Sequence, residues 1–203
     1  MSVGTSRVLD WAIASRPAQG QTVSGDAAVV SSAGDSTLVA AVDALGHGPE
    51  AAHAAAVAVS ILDESAGDQL ASVIVRCHEA LRATRGAAIS AASVSDSTGT
   101  ITWIGVGNVE GRLVRRPRDT SPEEVLLGSG IAGAVLPPLA PATLTVARGN
   151  LLVFATDGID GSFADSLDVS GPTQQIADGI LADHGKPADD ALVVVARFLG
   201  GPR

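Results

Sequence analysis

The sequence predicts an α+β protein in which antiparallel sheets carry helices on their outer faces. Three observations lead there. Apolar runs come in consecutive pairs separated by short turns rich in Gly, Asp and Asn. Two helical segments follow one another directly between residues 49 and 86. Strands and helices do not alternate in the regular way that builds a parallel sheet.

The elements follow in order. Residues 7–15 and 26–33 read as strands, the second being "DAAVVSSA", and "STLVAAVDA" is the next, over 36–44. "PEAAHAAAVAVSILDESAG" opens a helix with proline and glutamate in its first turn, both favoured there. In "DQLASVIVRCHEALRATRG", Leu70, Val73, Ile74, Cys77 and Leu81 recur at helical spacing, and Gly86 is a C-terminal stop. Strands resume at 87–95 and 100–106 around the turn "DSTG". "GN" at 107–108 leads into the strand "VEGRLVRR". "RPRDTSPEE" is a polar surface loop, and "EVLLGSGIAGAVLPPLAP" is a short strand with a Gly/Pro-rich connection. "ATLTVARGNLLVFATDG" reads as two strands joined at Gly149-Asn150. A helix over 172–185 and the strand "ALVVVARFL" complete one domain spanning 1–203, without repeats.

Composition narrows the function. With 46% apolar residues the chain folds around a core, and with 2% aromatics that core is aliphatic. Stacked-ring recognition of nucleic acid has little to work with. A net charge of −9 argues against nucleic-acid and polybasic membrane surfaces. The densest basic stretch, Arg112 to Arg118, reads as a solvated strand end and loop. One cysteine, Cys77, permits neither an intramolecular disulfide nor a CxxC zinc site. No secretory signal and no apolar membrane span is evident, so a soluble cytoplasmic protein is expected.

Chemistry concentrates in the aspartates. A two-residue turn at Gly34-Asp35 pairs Ala33 with Ser36, and carrying that register back sets Asp26 opposite Asp43. Facing carboxylates repel and lose hydration at an apolar sheet edge, and a cation beside them removes both penalties. "LLVFATDG" ends in Asp157 after an apolar run, like the run that ends in Asp43. "DDALVVVAR" sets Asp189 and Asp190 at the start of a strand. If that strand runs antiparallel to the other two, the acids gather at one end of the sheets. Oxygen-only donors suit magnesium or manganese, and with no histidine beside Asp157 or Asp189 and no cysteine available, zinc is disfavoured.

"SGDAAVV", "AAVDALGHGPEAA", "LLVFATDGIDGSF" and "ADDALVVVAR" occur in the order found in metal-dependent protein phosphatases, the PPM superfamily. The chain resembles most the small bacterial serine phosphatases of the SpoIIE/RsbX type, which act in partner switching and stressosome signalling in the stress response. The resemblance covers roughly residues 7 to 199. It implies an αββα sandwich of two antiparallel sheets and two Mn(II) or Mg(II) ions at one end. By motif, Asp43 bridges both metals, Asp157 and Asp189 complete one shell, the carbonyl of Ala44 binds the other ion, and Asp26 holds metal-bound water. The implied reaction is hydrolysis of phosphoserine or phosphothreonine by a dimetal-activated water. The implied partner is a phosphorylated regulatory protein, a STAS-type antagonist or stressosome component.

His47, four residues beyond Asp43, either protonates the leaving oxygen or positions the turn. His53 reads as packed or solvated within its helix, and His78 and His184 as surface residues. Two positions depart from the family pattern. Ala44 stands where glycine is usual, and Leu192 where threonine is frequent. Arg16 is the candidate for phosphate binding, from its place before "SGD". Two other readings are set beside the phosphatase. One is a PPM-fold binding module without catalysis. The other is an ATP-binding kinase of the anti-sigma type, which "DALGHG" resembles, although its spacing differs by one residue and no upstream "E-x-x-x-N" pattern accompanies it.

Overall fold

Strands β4 (Ser36–Ala44) and β10 (Ala191–Phe198) are apolar at nearly every position and are buried on both faces. Such strands need a layer on each side. In β4, Leu38, Ala40, Val42 and Ala44 face one way, into a core with helices α1 (Pro49–Asp63) and α2 (Leu70–Leu81). Val39 and Ala41 face the other way, into the core between the sheets. In β10, Leu192, Val194 and Ala196 enter that same central core. Ala191, Val193 and Val195 pack under α4 (Thr173–His184) and the short α3 (Phe163–Ser166). The computed structural model describes residues 2–6, 8–95, 97–115 and 128–200.

Around β10 lie β1 (Ser2–Thr5), β2 (Leu9–Arg16), β7 (Glu110–Val114) and β9 (Leu151–Ala155), in the order β1-β2-β10-β9-β7. Around β4 lie β3 (Asp26–Ala33), β5 (Ala87–Ser95), β6 (Thr100–Val106) and β8 (Ala142–Thr145), in the order β3-β4-β5-β6-β8. Every pairing between these strands is antiparallel. The result is the expected α+β sandwich of two antiparallel sheets with helices outside. Trp103 and Phe154 meet edge-on in its centre, with ring centroids 5.4 Å apart.

Several expectations need correction. Successive hairpins hold for β3–β4 and β5–β6. They fail at 107–108 and 149–150, where the chain passes from one sheet to the other: β6 and β8 belong to one sheet, β7 and β9 to the other. A short Gly-Asn signal specifies a turn but not whether the next strand pairs back. The strand expected over 7–15 is β2, and a separate short strand, β1, pairs with it. The helix expected over 68–86 is confined to Leu70–Leu81. The loop at 116–124 and the start of the strand expected from 124 lie outside the described residues. Arg112 pairs with Glu110 at 2.6 Å, and Arg115 donates to the Thr145 carbonyl at 2.9 Å. Cys77 is buried, and burial pushes its thiol up to about 12, away from thiolate chemistry. Among the described residues no helix is long and apolar enough to cross a membrane.

Candidate metal centre

Asp26 and Asp43 face each other directly in the β3–β4 register. Asp157 follows β9, and Asp189 and Asp190 precede β10, which runs antiparallel to β9. The two strand ends are therefore adjacent. Gly158 shows how tightly they meet, because a Cβ there would overlap the carbonyl oxygen of Asp190. Ties across the sandwich close the group. Thr156 Oγ1 donates to Asp26 Oδ2 at 2.6 Å and accepts from the Leu192 amide at 2.9 Å. Asp43 hydrogen-bonds the Asp157 side chain and accepts from its backbone N–H.

The electrostatics record this crowding. Burial, then the Asp43 charge, pushes Asp26 up to about 8, against the opposing pull of the Thr156 hydroxyl. Burial, then the charges of Asp157 and Asp189, pushes Asp43 up to about 7. Among the described residues, none of Asp26, Asp43, Asp157 and Asp189 is in a salt bridge with Lys or Arg. Among the described residues, no three His, Cys, Asp or Glu side chains stand close enough together, as they are placed, to hold a metal ion. Asp43 and Asp157 instead hydrogen-bond each other, Asp26 is held by Thr156, and Asp157 is held by Asn108. An oxygen-only group of like charges, running from buried Asp26 to exposed Asp157 at the strand ends, fits a hard divalent cation.

Asp190 stands apart from the other acids. It is buried, and its Oδ1 and Oδ2 accept from the amides of Ala18 and Gly25, each at 2.7 Å. It pins the β2–β3 connection beside the site. Ala44 is accommodated without strain. It continues the β4–β5 ladder opposite Ala87, and the positive φ values of the following turn fall on Gly46 (80°) and Gly48 (81°). The usual glycine is therefore not needed at position 44. The missing threonine at Leu192 is matched by the Thr156 hydroxyl, which bonds the Leu192 amide.

His47 is exposed and makes no hydrogen bond among the described residues, so it does not hold the turn. His53 is exposed on α1. His78 is not a free surface group: its Nδ1 accepts from the Gly133 amide at 3.0 Å. His184 is half-buried, with Ser162 Oγ 3.4 Å from its Nδ1. Arg16 ends β2 opposite Ala191, with a buried Nη2 that has no hydrogen-bond partner among the described residues.

Four contributors were not legible in advance. Lys186, the only lysine in the chain, donates to the Asp157 carbonyl at 2.7 Å. Arg85 bonds Glu50 Oε2 at 2.6 and 2.8 Å and the Leu45 carbonyl at 3.4 Å, bracing the turn after Asp43. Asn108 Nδ2 donates to Asp157 Oδ2 at 2.7 Å. Thr156 is the fourth, and its place directly before Asp157 was its only signal.

The sandwich with acids gathered at one end is the fold of the metal-dependent protein phosphatases of the PPM superfamily. Within that class the chain belongs to the SpoIIE family: the model for "Stage II sporulation protein E (SpoIIE)" matches residues 33–199. It is 25% identical over 142 residues to the phosphoserine phosphatase RsbX of Bacillus subtilis (strain 168), covering 70% of each chain. A structure from work on "The bacterial stressosome: a modular system that has been adapted to control secondary messenger signaling" superposes with a TM-score of 0.86 at 30% identity, over 93% of this chain and 99% of the other. RsbX in complex with magnesium superposes with a TM-score of 0.86 at 21% identity, over 97% of this chain and 98% of that one.

Proposed function

We propose that this chain is a protein serine/threonine phosphatase that removes phosphate from a small phosphorylated regulator, a STAS-type antagonist or stressosome component. The observation that carries this reading is the convergence of Asp26, Asp43, Asp157 and Asp189 at one sandwich end, with Asp26 and Asp43 both held far above the usual carboxylate range. Asp43, Asp157, Asp189 and the Ala44 carbonyl would hold two Mn(II) or Mg(II) ions. Bound there, such ions acidify a water and neutralise phosphoryl charge. The chain's own groups do the rest. Asp26, steadied by Thr156, would accept a hydrogen bond from water held at that site. Asp190 keeps the Ala18–Gly25 connection in place. His47, exposed beyond Asp43 and without a hydrogen bond among the described residues, delivers a proton to the departing seryl oxygen.

The test is hydrolysis of p-nitrophenyl phosphate. Activity should require added Mn2+ and vanish with EDTA. Turnover of ATP without hydrolysis of phosphate esters would overturn the reading in favour of a kinase-like one, and metal binding without hydrolysis would favour a binding module. His47→Ala has its own signature. It should slow a phosphoserine protein substrate by about 10²-fold, the scale of a lost general acid. It should leave p-nitrophenyl phosphate nearly unchanged, because that leaving group departs without a proton. Equal losses on both substrates would remove His47 from proton delivery.

A further inference from the structure

Asn108 lies in the short connection that carries the chain from β6 in one sheet to β7 in the other. Its neighbours are fixed. Gly107 takes φ 92°, donates to the Gly128 carbonyl at 2.9 Å, and lies so close to Ala88 that a Cβ would overlap it. Ala88 is the register partner of Asp43. On the other side Val109 is buried, and its carbonyl accepts from the buried Ser90 hydroxyl at 2.7 Å. The Asn108 backbone is thus anchored beside Asp43 while its side chain reaches across to Asp157 Oδ2.

Asp157 needs that contact. It is exposed at the end of β9, and a carboxylate there is free to rotate into water. One Oδ held by a neutral amide fixes the side-chain torsions of a carboxylate that also meets Asp43. A hydrogen bond to a charged acceptor is the stronger kind, and an amide supplies it without adding charge. Partners that orient a ligand in this way commonly govern metal affinity more than fold.

We propose that Asn108 is a positioning residue that holds Asp157 ready for a divalent cation, an inference that rests on the metal-dependent reading of the site. The test is calorimetric titration of the full chain with Mn2+, with thermal unfolding in EDTA alongside. Asn108→Ala and the near-isosteric Asn108→Leu should bind Mn2+ about 10- to 100-fold more weakly than the parent. Their unfolding midpoints in EDTA should match the parent, because the bond joins an exposed pair. At saturating Mn2+, turnover of p-nitrophenyl phosphate should recover to within a few fold. Unchanged Mn2+ affinity in both variants would overturn the inference while leaving the phosphatase reading intact. So would weaker binding matched by a lowered midpoint in EDTA, which would mark a structural role. A parent protein that binds no Mn2+ would remove the metal-dependent reading itself, and this inference with it.

Discussion

Asp43→Asn is expected to reduce Mn2+-dependent hydrolysis of p-nitrophenyl phosphate by roughly 10³-fold or more, the scale seen when a central electrostatic element of a site is removed. The position explains the size. Asp43 faces Asp26 along the ladder and meets the Asp157 side chain across the sandwich, and the Asp189 charge acts on it as well. Asparagine keeps the shape and loses the charge, so a bridging role cannot survive the exchange. The fold should survive, because β4 is held by its ladders to β3 and β5 and by buried aliphatic residues on both faces. Removing one of several crowded carboxylates should leave the unfolding midpoint in EDTA equal to or above that of the parent. Steady-state kinetics with a circular-dichroism melt separates the two effects. Activity within tenfold of the parent would mean that Asp43 is not at the centre of the chemistry.

Much of this site was legible because its register is local. The two-residue turn at Gly34-Asp35 fixes the β3–β4 ladder, and eight residues back it sets Asp26 against Asp43. The apolar runs of β4, β9 and β10 announce strands buried on both faces, and the acids sit at the ends of those runs. What was not legible depends on contacts between distant segments. Thr156 reaches Asp26 across 130 positions of sequence, and Asn108 reaches Asp157 across 49. Neither residue type signals such a partner, since Asn after Gly reads first as a turn. The same ambiguity hid the passages between sheets at 107–108 and 149–150. A turn residue sets the local backbone direction, whereas the choice of sheet is made by burial on the far side. The missed strand β1 and helix α3 have only four residues each, too few to display a period.

Asp26→Asn is expected to stabilise the metal-free protein at pH 8 while leaving it nearly unchanged at pH 4. Asp26 rises from 3.8 to about 8 on folding, and Asp43 rises to about 7. Between roughly pH 4 and pH 8 the folded chain therefore keeps protons that the unfolded chain has released. Where the native state binds more protons, stability falls as pH rises. The contribution is complete below the unfolded value near 3.8 and is lost as pH climbs through the folded values. A shift of several units on a buried acid amounts to a few kcal/mol, reduced by coupling to Asp43. Asparagine carries no such penalty and still offers an oxygen to the Thr156 hydroxyl. In EDTA at pH 8 its unfolding midpoint should exceed the parent's by about 5 °C or more, given roughly 2–4 °C per kcal/mol for a chain of this size. Added Mn2+ should reverse the order, because a cation offsets the carboxylate repulsion in the parent that asparagine has already removed. The decisive measurement is the difference between the two melting profiles from pH 4 to pH 8. Parallel profiles would mean that Asp26 is charged throughout that range, and that the carboxylates at this end of the sandwich do not oppose one another as their geometry requires.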